Sequence, residues 1–135
     1  MLLQRLITLA ALPAATLLAA FFAFVGAHKA FSPLAELAQH RVWTLALPEW
    51  AGRIVGWSEL LLAGGLLAIW LPAGRGLARG AALLLIANQL VAALVHGARG
   101  EVVALPQNAV LVGLLALVAL AAHLRQGQHA LGDTQ

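Results

Sequence analysis

Cysteine is absent from the sequence. Structural disulfides, thiol redox chemistry and thiolate metal sites are therefore excluded. Charge is nearly as scarce. Asp, Glu, Lys and Arg make up 10% of the residues, against roughly a quarter in a soluble globular domain. What fills the space is apolar: 62% of residues are hydrophobic, and mean hydropathy is +0.91. Too little polar surface remains to coat a soluble fold of 135 residues, so the composition points to a single-domain integral membrane protein. The net charge of +3 does not indicate a nucleic-acid partner. The basic residues stand singly or in pairs at the ends of apolar runs, as topology signals and headgroup contacts do, and form no patch. The partner that composition implies is the lipid bilayer.

Catalytic signatures are also missing. There is no GxSxG, no P-loop and no GxGxxG, and no nucleophile lies beside an identifiable base, so no catalytic residue is assigned. No HxxxH or ExxH pair falls on a predicted helix, and the spacing gives a metal site no support. His28 and His40 read as surface residues flanking a short helix.

The apolar runs are the positive signal. A span needs about 20 apolar residues, and the sequence offers four such stretches: roughly Leu6–Ala27, Ala51–Leu71, Leu77–His96 and Leu105–Leu124. The first continues through Phe21, Phe22 and Phe24, which is too long for the core of a cleaved signal peptide. Pro13 is a candidate kink, and Pro106 sits at a helix start, where its missing N–H costs nothing. Short connections between spans two and three and between three and four require antiparallel neighbours. The predicted fold is all-α: an up-down bundle of four transmembrane helices in one domain, with residues 125–135 as a flexible tail.

The long connection from His28 to Trp50 carries its own pattern. Ser32-Pro33 reads as an N-cap followed by an N1 proline, with Glu36 in the first turn. Leu34, Leu37, Ala38, Val42 and Leu45 recur at helical spacing. A short amphipathic helix is predicted from about Pro33 to Leu45, lying on the membrane or capping the bundle. Trp50 and Trp70 stand roughly 30 Å apart at helical rise, one hydrocarbon thickness, and so belong to the two aromatic belts. Trp43 and Trp57 read as packing residues.

Glu59 is the exception inside span two. A charge near the bilayer centre costs about 2.5–3.5 kcal/mol and normally faces protein with a partner. Gly52, Gly56, Glu59 and Ala63 share one helix face, otherwise made of small residues that allow close helix approach. Lys29, just past the end of span one, is the predicted partner. Span three adds Asn88, Gln89 and His96, and span four adds Asn108. Lys29, His96 and Asn108 should converge at one mouth of the bundle, with Glu59 at its floor and Asn88 deeper. Such a set fixes helix register, binds a small amphipathic ligand or carries protons, and the register role is the first expectation. Gly52 and Gly56 form a GxxxG spacing, which suits either an internal contact or a homo-oligomer.

The ordered motifs "FVGAHKAF", "LALPEW", "GWSELLLAGGLL", "WLPAGRGLARGAALLL" and "VAALVHG" together resemble the DoxX-like family of small bacterial membrane proteins. The resemblance covers about Phe22 to Asn108. It implies four helices and a Lys–Glu–His polar set, carried here by Lys29, Glu59 and His96. The family's name comes from association with a thiosulfate:quinone oxidoreductase subunit, and other relatives are linked to membrane redox complexes. The expectation is a non-catalytic accessory or membrane-anchor subunit of a redox or stress-related complex, with no cofactor of its own. The alternatives are a subunit that binds a quinone or a lipid, and a small proton-coupled transporter. The location expected is the bacterial inner membrane. Basic side chains divide evenly, Arg5, Arg75, Arg79 and Arg125 against Lys29, Arg41, Arg53 and Arg99. The very short Arg75/Arg79 loop and the flank of the first span then favour cytoplasmic termini.

Overall fold

Leucine and alanine dominate the apolar runs and are strong helix formers. In hydrocarbon a chain must also satisfy its backbone hydrogen bonds within each segment. Both demands lead to long helices, and the computed structural model has them. It describes the backbone of residues 1–132 and side chains as far as residue 127. Helices α1 (Leu2–Phe31), α3 (Glu49–Leu67), α4 (Arg75–Ala98) and α5 (Leu105–Gly132) form the bundle, and α2 (Leu34–Gln39) lies between α1 and α3. Among the described residues, four helical segments are long and apolar enough to span a membrane. The chain is an all-α polytopic membrane protein, as its composition requires.

Helix α1 continues through Pro13 without a break in its assignment. Helix α5 extends to Gly132, and residues 133–135, the end of the expected tail, lie outside the described residues. Helices α1 and α3 form one principal packing pair and α4 and α5 the other. The interior is built from small side chains: Ala11, Ala15, Ala82 and Ala122 are fully buried beside Leu18, Phe22, Leu66, Ile69 and Leu85. Large side chains such as Leu17, Leu61 and Leu94 are exposed. This is the arrangement of helices that associate by close contact in lipid rather than by hydrophobic exclusion from water.

The closest approach is between α1 and α3. A Cβ added at Gly56 would stand 2.6 Å from the backbone nitrogen of Ala30 and 2.8 Å from the carbonyl of Gly26. The GxxxG face is therefore spent inside the molecule, and Gly52, Gly56, Glu59 and Ala63 are all buried.

The predicted amphipathic helix is shorter than its hydrophobic pattern. It stops at Gln39, and a separate 3-10 turn follows at Trp43–Ala46. The cause is a Schellman ending. Arg41 adopts a positive φ of 50°, the Arg41 N–H donates to the Ala38 carbonyl and the Val42 N–H to the Leu37 carbonyl. Ser32 does not cap α2. It ends α1, and its hydroxyl faces His28 Nδ1 at 2.7 Å.

Candidate functional site

The C-terminal ends of α1 and α4 and the N-terminal ends of α3 and α5 meet at one end of the bundle, roofed by α2 and the 3-10 turn. The polar residues singled out in the sequence all lie toward this end, but they separate into three groups.

The first group is centred on Glu59. Lys29 Nζ donates to Glu59 Oε1 at 2.6 Å, and Asn88 Nδ2 donates to the same oxygen at 2.7 Å. Lys29 is 7% exposed and Glu59 fully buried. The close Gly26–Gly56 contact lies one helical turn from these residues and brings the backbones near enough for the pair to form. Glu59 Oε2 has no partner. The Lys29 ammonium also sits over the Trp43 ring, 5.6 Å from its centroid, within cation–π range. Arg53 supports the same turn of α1 by donating to the carbonyls of Lys29 at 2.9 Å and Ser32 at 2.6 Å, which satisfies carbonyls that a helix end leaves open.

The second group joins α4 to α5. Asn108 Nδ2 donates to both the backbone and side-chain oxygens of Gln89, each at 3.2 Å. Asn108 is thus held by Gln89 and not by Lys29 or Glu59. The third is His96 with Glu101, whose Nδ1 and Oε2 are 2.6 Å apart. Gly100, at a φ of 72°, ends α4 in a second Schellman motif, so that the Glu101 N–H also donates to the His96 carbonyl at 2.8 Å. Arg99 contacts the other Glu101 oxygen at 3.0 Å. The hydrogen bond from His96 is the main reason the Glu101 carboxyl is held below the usual carboxylate range; the Arg99 charge adds to it, and burial opposes both. His96 is therefore committed to the α4–α5 connection rather than to Glu59.

A cavity of about 530 Å³ opens between these groups. Its apolar wall comes from Phe21, Phe24, Val25, Ala92 and Leu111, and its polar rim includes His28, Lys29, Trp43, Gln89, His96 and Asn108. Trp43 is 5% exposed, and its indole N–H is buried without an acceptor. Lys29 belongs both to the cavity wall and to the Glu59 pair, whereas Glu59 and Asn88 lie behind it and do not line the space.

Sequence reasoning singled out Lys29, Glu59, Asn88, His96 and Asn108. It did not single out Trp43, Arg53 or Glu101 as site residues. Glu101 lies in the α4–α5 connection, and a carboxylate there is ordinary at a membrane surface. Trp43 fell inside the stretch predicted as amphipathic helix and read as a packing residue, so nothing in the sequence marked it as part of a site. Gln89 was noted among the polar residues of span three, but the sequence alone did not show that it, rather than Asn88, turns toward Asn108.

No curated protein and no solved structure matches the chain. A family model described as the DoxX-like family matches residues 14–121. That match takes in parts of all four long helices and every member of the three polar groups, and the chain belongs to the DoxX-like family of membrane proteins.

Proposed function

We propose that this chain is a non-catalytic membrane subunit that holds an amphipathic molecule, a quinone or a lipid, in the cavity beneath α2, and that it serves a redox or stress-related membrane complex. The observation that carries this reading is the cavity itself. It has the size of a small-molecule site, with an apolar wall facing a polar rim. Trp43 lines it, and the indole N–H of that residue is buried without an acceptor among the described residues. A buried donor left unmet costs about 1–3 kcal/mol, and a shift of the Trp43 ring toward a ligand carbonyl or ester oxygen would recover it. A quinone ring or the glycerol region of a lipid supplies such an oxygen and an apolar tail together.

The register role expected for Lys29–Glu59 is compatible with this reading, because the pair positions Lys29 at the cavity wall. The test is extraction and mass spectrometry of material bound to the detergent-purified protein. Wild type should retain a stoichiometric quinone or lipid. Trp43→Phe, which keeps an aromatic ring of smaller size and removes the donor, should retain less, and Ala92→Leu, which fills the apolar wall, should lose it while remaining folded. Wild type carrying only the lipid mixture of the surrounding membrane, unchanged in both variants, would remove the cavity from consideration.

A further inference from the structure

We propose that His28, Glu36 and His40 form a binding site for a divalent transition-metal ion of the zinc class, at the roof of the cavity. The three come from the last turn of α1 and from α2 with its C-cap residue. One ligand atom from each lies within 4.8 Å of the others. The proposal stands on these residues alone and does not depend on the occupant of the cavity.

The chemistry of the set is specific. Two imidazoles and one carboxylate are the protein ligands of one of the common three-ligand zinc sites, in which the fourth position is left open. Zinc ligands at about 2.1 Å from the metal stand about 3.4 Å from one another in a tetrahedral site. His28 Nδ1 and Glu36 Oε1 are 3.5 Å apart, so this edge already has the required length. Glu36 and His40 are four residues apart, the spacing that puts two side chains on one helix face. The His40 ring meets the His28 ring edge-on, with centroids 5.2 Å apart, and its exposed side chain is free to change rotamer and close the set.

His28 has the features of a held ligand. Phe24 stacks against its ring. Ser32 Oγ lies 2.7 Å from Nδ1, and Nε2 is buried with no partner. The 3.5 Å edge to Glu36 starts from Nδ1, so Nδ1 is the ligand atom: the tautomer protonated on Nε2 leaves its lone pair free to bind, with the Ser32 hydroxyl displaced from it. Without an ion, the same residues amount to a histidine–glutamate pair just beyond hydrogen-bond length, with a second imidazole packed on it. An ion uses all three groups. All three also line the cavity, and the ion would tie α2 to the end of α1.

The test uses the full chain, purified in detergent and stripped with a chelator, titrated calorimetrically with zinc chloride alone. Wild type and the control His123→Ala should each bind one ion per chain. His40→Ala and Glu36→Gln alter exposed side chains, so they should stay helical by circular dichroism and bind at least about tenfold more weakly. The proposal is overturned if wild type binds no zinc, if both variants bind as tightly as wild type, or if His123→Ala abolishes binding while they do not.

Discussion

Glu59 offers one carboxylate oxygen to two donors and leaves the other without any. An acid so placed depends on Lys29 for its charge balance. Removing one member of a buried ion pair is destabilising by about 3–5 kcal/mol, because an uncompensated charge remains, whereas removing both is far less harmful. Glu59→Gln and Lys29→Met should therefore each lower the thermal unfolding temperature in detergent, and the double variant should recover part of the loss. A coupling energy of roughly 1–3 kcal/mol is expected. Strictly additive losses would mean that the two residues act independently. At this scale the sequence was informative wherever a residue was out of place. A carboxylate in an apolar run must face protein, and a lysine at the end of the preceding helix lies within reach. Where polar residues sit at helix ends, as His96, Glu101 and Asn108 do, nothing is out of place. Their partners depend on helix rotation, which a single sequence does not reveal.

Helices α1 and α3 owe their fit to glycine. The atoms that crowd a Cβ at Gly56 are backbone nitrogen and carbonyl groups of α1, with the Lys29 Cβ beside them, and none belongs to a flexible side-chain end. Gly56→Ala should consequently force the helices apart and lower stability by about 1–3 kcal/mol. Gly64→Ala makes the comparison, since a Cβ there meets nothing within 4 Å and should be neutral or slightly stabilising. Thermal unfolding of the two variants side by side checks this, and equal losses would refute the close-approach argument. The spans themselves were legible from length and hydropathy. The end of α2 was not. Schellman endings usually announce themselves with glycine, and here the left-handed position is held by Arg41. Hydrophobic periodicity ran on past the point where the backbone turned.

Across the whole molecule, charge separates toward the two ends of the bundle. At the roofed end, Lys29 is withdrawn into the bundle against Glu59, Arg53 is paired with Glu49, and Arg99 is paired with Glu101, which leaves Arg41 as the exposed arginine with no ion pair among the described residues. The opposite end carries Arg5, Arg75, Arg79 and Arg125. We propose on this basis that the terminal end faces the cytoplasm of a bacterial cell and the roofed end faces outward, in line with the bias of short basic flanks. Fusion of a fluorescent protein to the C-terminus should then give fluorescence, and fusion of alkaline phosphatase should give little activity; the reverse result would invert the assignment. The four-helix architecture at this scale was readable from composition and span count. The cavity was not, because it arises from the relative rotation of α1, α4 and α5 under a roof whose length the periodicity overstated.

The sharing of one ion pair between α1 and α3 also bears on biogenesis. Each helix taken alone would carry a charged group into hydrocarbon, at about 2.5–3.5 kcal/mol on insertion scales; entering together, they carry a neutral pair. The segment from α1 to α3 is in effect a hairpin whose two arms are better passed to the lipid as one unit, ahead of the α4–α5 pair. A translocon that releases helices singly would have to retain α1 until Glu59 had been synthesised, a delay of thirty residues of chain.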